Sequence, residues 1–265
     1  EDEQFLILFS PTAPTSSPGV FCGSSPSSRL HRGLDRRLAI MVEAVVAESP
    51  SSVLDIGCGR GFLLGVLAEK GLEGLSGVDV YDDPSQGRFR YRQADVTEGL
   101  PFNDSEFDCV VAGEIIEHVP DPDSLLREIR RVLSPQGLLV LSTPNLVSWA
   151  NRVLVPLGIQ PLGTETSSEI ALGRRLKVLG QGNQVQGHLK VFTHRALSEI
   201  LQRYGFEIVQ RRGVPSIYPF PVDAVDRLLS RRVSIASGLV YCARSPAPPW
   251  PIPVAGRRHI EAFGE

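Results

Sequence analysis

Apolar positions along the chain follow two different spacings. Short apolar runs predict buried strands, and the segments between them carry apolar residues every three or four positions, which predicts amphipathic helices. The predicted strands span 52–56, 75–80, 90–95, 107–112, 137–142, 206–210 and 239–243. The predicted helices span 30–48, 62–70, 123–133 and 193–204. This alternation is typical of an α/β domain built on a largely parallel sheet.

The regular pattern is interrupted twice in the second half of the chain. Residues 143–190 contain turns, glycines and one amphipathic stretch at 146–157. A connection of this length inside a compact domain is usually functional, so we interpret it as an insert that acts as a lid. A second interruption at 214–237 precedes the last strand, which we expect to form a hairpin with its predecessor.

Both ends of the chain differ in composition from the middle. Residues 10–28 are dominated by Ser, Pro, Thr and Gly, and the end of the chain is rich in Pro. Such segments bury too little apolar surface to fold. We therefore predict a disordered leader at 1–28, one domain at 29–245 and a flexible tail at 246–265.

A glycine-rich turn lies between the first of these strands and the helix that follows it. The sequence there reads VLDIGCGRG, and glycines allow a tight turn and the close approach of a ligand. Asp79 follows Gly57 by 22 residues and ends the next strand. An acid in that position accepts hydrogen bonds from a ribose diol, each worth about 1.5–3 kcal/mol. The pattern predicts a nucleoside site.

Two classes of cofactor use such a turn. A dinucleotide site expects G-x-G-x-x-G, but here the third glycine is displaced to Gly61 and Phe62 stands at the expected position. An acid, Asp55, also precedes the turn. A sulfonium nucleoside carries a cation and an α-amino group and no pyrophosphate, so it suits an acidic turn better.

Several further segments accompany this turn in a fixed order. They are LDIGCGRG, GVDV, the run from ADVTEGLPF to STPN, and FTHRALSEILQRYGF. Over about residues 50–210 the chain resembles the class I S-adenosylmethionine-dependent methyltransferases, and it is most similar to the ubiquinone-biosynthesis-like small-molecule enzymes. The resemblance implies a Rossmann-like, seven-stranded, mostly parallel sheet with helices on both faces and a final antiparallel hairpin.

The resemblance also implies which residues bind S-adenosylmethionine. They are Asp55, Gly57, Cys58, Gly59, Asp79, Val80, Asp95, Val96, Gly113 and Glu114. Asp55 and the glycines would line the methionine end, Asp79 would hold the ribose hydroxyls, and Asp95 would accept from the adenine amine. For Asp95 and Glu114 an alternative stays open, because acids in these positions also serve as helix caps or turn formers.

The methyl group of a sulfonium is already activated, so the protein mainly aligns a nucleophile with it. A hydroxyl nucleophile must also lose its proton, which favours a histidine as the acceptor. His118 follows the fourth strand and His188 closes the insert, so both are candidate catalytic residues. Alternatively, His118 anchors its loop and His188 connects insert and core.

Two other residue groups carry open alternatives. Asn145 ends the fifth strand and would bind the substrate or simply start a turn. Glu114, Glu117 and His118 suggest a divalent metal, but the sequence contains no paired Asp and Asn set that demands one. We therefore predict no metal.

Charge and cysteine content restrict the partners and the compartment. A net charge of −3 and a pI of about 6.0 argue against nucleic-acid binding by bulk attraction. The four cysteines form no CxxC pair, which suits reduced thiols and a cytoplasmic location. The stretch 146–157 contains Trp149 and aliphatic residues. Packing on its own domain is favoured there over a peripheral membrane contact.

These observations predict methyl transfer from S-adenosylmethionine to a small-molecule acceptor, with a hydroxyl oxygen favoured. One alternative is N- or C-methylation of a metabolite. Another is a regulator or partner subunit that binds the cofactor without catalysing transfer. The sequence makes no prediction of oligomeric state.

Overall fold

The computed structural model describes residues 36–83, 85–173 and 185–246. The predicted leader at 1–28 lies outside these ranges. So does the predicted tail at 246–265, apart from its first residue.

A single seven-stranded sheet organises the described chain. Its strands are β1 Val53–Ile56, β2 Leu75–Asp79, β3 Arg90–Gln93, β4 Phe107–Gly113, β5 Leu133–Pro144, β6 Glu207–Val214 and β7 Gly238–Arg244. They lie in the order β3-β2-β1-β4-β5-β7-β6. All neighbours are parallel except β7, which runs antiparallel to both β5 and β6. The predicted mostly parallel sheet with its final hairpin is confirmed.

Helices cover both faces of this sheet. They are α1 Arg36–Glu48, α2 Phe62–Glu69, α3 Pro122–Val132, α4 Trp149–Leu154, α5 His194–Arg203 and α6 Val222–Leu229. Apolar residues of α1 and α2 form one core layer, and those of α3 and α5 form the other. The central strands β1 and β2 are buried along their whole length, as expected for parallel strands covered on both sides.

The helix beginnings follow from their capping residues. The side chain of Asp121 accepts a hydrogen bond from Ser124 N at 3.1 Å, and Pro122 occupies the first turn of α3. Thr193 caps α5 in the same way, through Ala196 N at 3.1 Å.

Three strands have an end that differs by two or more residues from the sequence prediction. β5 begins at Leu133, immediately after α3, because Leu133 pairs with Phe107 across a bulge before regular pairing resumes. β5 also continues to Pro144, so the insert begins at Asn145. β3 ends at Gln93, whereas β6 continues to Val214 because β7 pairs with it along its full length.

The two ends of the insert meet at the edge of the sheet. Asn145 and Phe192 form an isolated parallel bridge, and Leu146 N donates to Phe192 O at 2.9 Å. Between them the described chain contains α4 and a 3-10 turn at Val155–Leu157. The second interruption folds as α6 and a 3-10 turn at Val233–Ile235. No helix within the described ranges is both long and apolar enough to cross a membrane.

Candidate functional site

The glycine-rich turn after β1 has a backbone that only glycine adopts easily. Gly57, Gly59 and Gly61 have φ angles of 70°, 51° and 71°. A Cβ on Gly61 would lie 2.4 Å from the Phe89 ring. A Cβ on Gly59 would meet no atom of the described chain within 4 Å. The backbone at Gly61 therefore packs directly against the core, whereas the described chain leaves space beside Gly59.

Asp79 connects this turn to the end of β2. Its Oδ2 accepts a hydrogen bond from Gly59 N at 2.8 Å, and its Oδ1 accepts one from Val80 N at 2.7 Å. Each carboxylate oxygen has two lone pairs, so both still have the capacity to accept from a ligand hydroxyl. The side chain of Val80, in contrast, is exposed.

Asp55 is a buried acid directly below the turn. Burial, and then the charge of Asp79, raise the pKa of Asp55 to about 8. The side chain is therefore mostly protonated at neutral pH in the free protein. A cation placed beside it would favour the charged carboxylate.

Cys58 contributes packing rather than reactivity. Its thiol is buried near Leu64, and a Cβ on Gly77 would lie 2.7 Å from its Sγ. Burial, and then Asp55, raise the pKa of Cys58, so the thiol stays protonated. The backbone N–H of Cys58 donates to Val78 O at 3.2 Å and helps to hold the turn.

Asp95 and Val96 follow the end of β3. Asp95 Oδ1 accepts hydrogen bonds from Thr97 N at 2.8 Å and Thr97 Oγ1 at 2.7 Å, which makes Asp95 a turn former. Its side chain is exposed, whereas Val96 is buried in the core. The preceding Ala94 N donates to Asp79 O at 2.9 Å, so this turn adjoins the Asp79 site.

Gly113 and Glu114 lie where β4 ends, beneath α1. A Cβ on Gly113 would lie 3.1 Å from Met41 Cε, so the helix packs closely on this glycine. Glu114 has a positive φ of 53°. Its carboxylate accepts from Ser142 Oγ at 3.0 Å and pairs with Arg37 Nη1 at 2.9 Å. No pattern in the sequence indicates Arg37, because the pair joins distant parts of the chain.

His118 and His188 come together although the sequence separates them widely. Their ring centroids are 4.8 Å apart, with the rings tilted by 60°. His118 Nδ1 lies 3.1 Å from Gly187 O, and His188 Nδ1 lies 2.8 Å from Gly163 O. A carbonyl only accepts, so each Nδ1 carries a proton, and in the neutral form of either ring Nε2 keeps a lone pair. Burial, and then His188, lower the pKa of His118.

Glu117 completes this group as a fully buried acid. Its Oε2 accepts from Thr143 Oγ1 at 2.9 Å, and Oε1 has no hydrogen-bond partner among the described residues. Burial, and then Glu114, raise the pKa of Glu117 well above its usual value. One donor atom each from Glu117, His118 and His188 lie within 4.8 Å of one another. The sequence had suggested Glu117 only within a metal set.

Backbone hydrogen bonds connect the described part of the insert to the segment that carries Glu117 and His118. The main-chain oxygen of Glu117 accepts from Leu189 N at 2.8 Å and from Lys190 N at 3.0 Å. The carboxylate of Glu165 accepts from Gln186 N and from Gly187 N. These bonds fix the segment that carries His188 and the carbonyl of Gly187 over His118.

Asn145 is a turn former in this structure. Only 2% of the residue is exposed, its Nδ2 donates to Ala236 O at 2.8 Å, and its Oδ1 accepts from Val147 N at 3.2 Å. The side chain directs its hydrogen bonds to the backbone of the protein. The geometry therefore matches the turn alternative and gives no support to substrate binding.

The stretch at 146–157 packs on its own domain. Trp149 Nε1 donates to the buried Asp226 at 2.6 Å, and the indole meets Tyr218 edge to face at 6.3 Å. Ala150 and Leu154 are buried residues of α4 itself. The aliphatic side chains on its outer side, Val153, Val155 and Leu157, are exposed.

Comparison with known proteins identifies the family of this domain. Residues 28–211 match the model of a family described as a methyltransferase domain. A Mycolicibacterium smegmatis protein named "probable S-adenosylmethionine-dependent methyltransferase" is 30% identical over 177 residues, which cover 64% of this chain and 66% of that protein. A Pseudomonas paraeruginosa ubiquinone biosynthesis O-methyltransferase is 35% identical over 104 residues, covering 36% and 44%. The chain thus spans less than two thirds of these curated relatives.

A solved structure has the same fold. It is the Burkholderia thailandensis 1,6-didemethyltoxoflavin-N1-methyltransferase with bound 1,6-didemethyltoxoflavin and S-adenosylhomocysteine. The TM-score is 0.53 at 21% identity, and the match covers 82% of each chain.

Proposed function

Because this chain belongs to the class I S-adenosylmethionine-dependent methyltransferase family, we propose that it transfers the methyl group of S-adenosylmethionine to a hydroxyl oxygen of a small molecule. The observation that carries the choice of oxygen is the pairing of His118 with His188. His118 follows the end of β4, and the glycine turn follows the end of the parallel strand β1, so both lie at the same edge of the sheet. The ubiquinone biosynthesis O-methyltransferases among the relatives support the same choice.

The cofactor is proposed to bind along the ends of β1, β2, β3 and β4. Asp55 would become charged beside the cationic methionine end, and Gly57, Cys58 and Gly59 would present their backbone to it. Asp79 and Val80 would contact the ribose, while Asp95 and Val96 would contact the adenine. Gly113 and Glu114 would border the methionine moiety. The raised pKa of Asp55 and the open space at Gly59 support this arrangement.

The acceptor is proposed to bind between the two histidines and the cofactor, beneath the insert. One lone pair of its oxygen forms the new O–CH3 bond while the S–CH3 bond breaks and its electrons return to sulfur. The hydroxyl proton leaves towards the imidazole lone pairs, and the products are a methyl ether and S-adenosylhomocysteine. Alignment of the two reactants accounts for most of the acceleration, because the methyl group is already activated.

A cytoplasmic location is part of the proposal. It is supported by Cys58, Cys109 and Cys242, which are all free and buried.

The test supplies methyl-labelled S-adenosylmethionine and a host metabolite extract to the purified full chain. Mass spectrometry of the labelled products then identifies the methylated atom, and calorimetry with S-adenosylhomocysteine measures cofactor binding separately. We expect a methyl ether. Label on nitrogen or carbon would overturn the choice of oxygen. Tight cofactor binding with no labelled product would instead favour the non-catalytic regulator.

A further inference from the structure

We propose that Glu117, His118 and His188 bind a divalent cation of the zinc class on the acceptor side of the site. One donor atom from each residue lies within 4.8 Å of the others. This differs from the sequence expectation of no metal, which was based on the lack of a paired Asp and Asn set. The ion binding stands on its own, whereas its consequence for catalysis rests on the proposed methyl transfer.

The two histidines are oriented as metal ligands are. Each Nδ1–H donates to a main-chain carbonyl, that of Gly187 for His118 and that of Gly163 for His188. Such a second hydrogen bond fixes the ring and the tautomer of metal-binding histidines and leaves Nε2 free for the ion.

Glu117 supplies the third ligand, and one of its buried oxygens has no hydrogen-bond partner among the described residues. Its side chain is fully buried, and Oε1 is without a hydrogen-bond partner in the described structure. A buried polar oxygen left unpaired is unfavourable, and a bound cation would remove that penalty. Thr143 Oγ1 holds the other oxygen at 2.9 Å and so orients the carboxylate towards the histidines.

The donor set selects the class of ion. Two imidazoles and one carboxylate form a typical catalytic zinc set with an open fourth position, whereas Mg²⁺ and Ca²⁺ prefer oxygen ligands alone. Ligands about 2.1 Å from a tetrahedral ion lie about 3.4 Å apart. The three donor atoms must therefore move slightly closer together to bind the ion. His188 is the ligand that lies on the insert rather than next to a strand of the sheet.

The cation changes the role of the two histidines. Their lone pairs would hold the ion, and its charge would stabilise the acceptor oxygen as the hydroxyl proton leaves to water. The bond changes at the methyl group are the same as above.

The test measures zinc binding and not only activity. The full chain is stripped with a chelator and titrated with Zn²⁺ against a chromophoric chelator, and Co²⁺ is added separately to record its visible spectrum. We expect one ion per chain and a four-coordinate Co²⁺ spectrum. The variants Glu117→Gln and His188→Ala should each weaken binding by more than about 100-fold, beyond the usual effect of outer-shell changes.

His194→Ala is the matched control, because this histidine begins α5 outside the group. Retained binding of S-adenosylhomocysteine shows that each variant is folded. Stoichiometric zinc binding that Glu117 and His188 control supports the site even if no methyl transfer is found. Sub-stoichiometric binding, or binding that these variants leave unchanged, overturns it, and chelator-resistant methyl transfer would then leave the proposed function intact.

Discussion

The proposed cofactor side and the proposed acceptor side of this site are built in different ways. On the cofactor side, Asp79 holds Gly59 and Val80 through short backbone contacts within one β-α-β unit. On the acceptor side, His118 and Glu117 depend on Gly187 and Leu189, which arrive from the far end of the insert. The first side is therefore local in sequence, and the second forms only when distant segments meet.

This difference means that the two sides should respond separately to mutation. A change on the acceptor side should reduce transfer and leave the cofactor bound. A change on the cofactor side should reduce binding itself.

The largest effect is expected from His118→Ala and His188→Ala. Loss of either imidazole should lower kcat by about 10²–10⁴-fold, the range for removing a group that assists proton loss. Binding of S-adenosylhomocysteine should change by less than about twofold, because the hydrogen bonds described for the two rings go to Gly187 and Gly163 and not to the glycine turn. Labelled-methyl kinetics and calorimetry measure the two quantities, with His194→Ala as the control. A parallel loss of cofactor affinity would show that the two sides are not separable.

Asp79→Ala should act on the other side. It removes the proposed ribose hydrogen bonds and leaves Gly59 N and Val80 N without their acceptor, at about 1–3 kcal/mol for each unmet group. We expect cofactor affinity to fall by about 100-fold or more, measured by calorimetry. Asp82→Ala removes an exposed acid nearby and is the control for charge alone. Unchanged affinity would remove the assignment of Asp79.

The raised pKa of Asp55 gives a pH-dependent prediction. Above about pH 3.8 the unfolded chain loses this proton, while the folded chain keeps it until about pH 8. The folded state binds more protons within that window, so the stability contributed by this group falls as pH rises through it. Asp55→Asn should remove the slope and raise the free energy of unfolding at pH 8 by more than about 1 kcal/mol.

Urea unfolding at pH 5 and pH 8 measures this difference in the absence of cofactor. The gap in the free energy of unfolding between the Asp55→Asn variant and the unmodified protein should be wider at pH 8. A gap of the same size at both pH values would contradict the raised pKa.

Gly59→Ala and Gly65→Ala form a matched pair. Gly59 has φ of 51°, and alanine there should cost about 1–2 kcal/mol of stability and also hinder the cofactor. Gly65 lies inside α2, where a Cβ has open space in the described structure. Alanine at that position should stabilise by about 0.5–1 kcal/mol. Thermal unfolding and calorimetry test both, and equal effects would mean that the turn conformation is not the cause.

The smallest effect is expected from Arg37→Ala. The Arg37 and Glu114 side chains are 29% and 27% exposed, so solvent weakens their ion pair. We expect a loss of less than about 1 kcal/mol, decreasing further in high salt, as measured by urea unfolding. A loss that is large and independent of salt would show that Arg37 contributes mainly by packing.

The same contrast explains how much the sequence could predict. The glycine turn, Asp79 and the strand alternation follow from local patterns, so the sheet and the cofactor class were predictable. The pairing of Arg37 with Glu114 and of Trp149 with Asp226 joins segments that meet only after the sheet forms. The early start of β5 depends on Leu133 pairing with Phe107 across a bulge, which no single segment encodes.

The bridge that joins the two ends of the insert affects how the insert tolerates changes in length. Asn145 and Phe192 join its two ends, and Glu117 binds its returning segment. Closing the loop at this point depends only weakly on the length in between. We therefore expect the intervening segment to tolerate changes in length while the sheet beneath it stays the same.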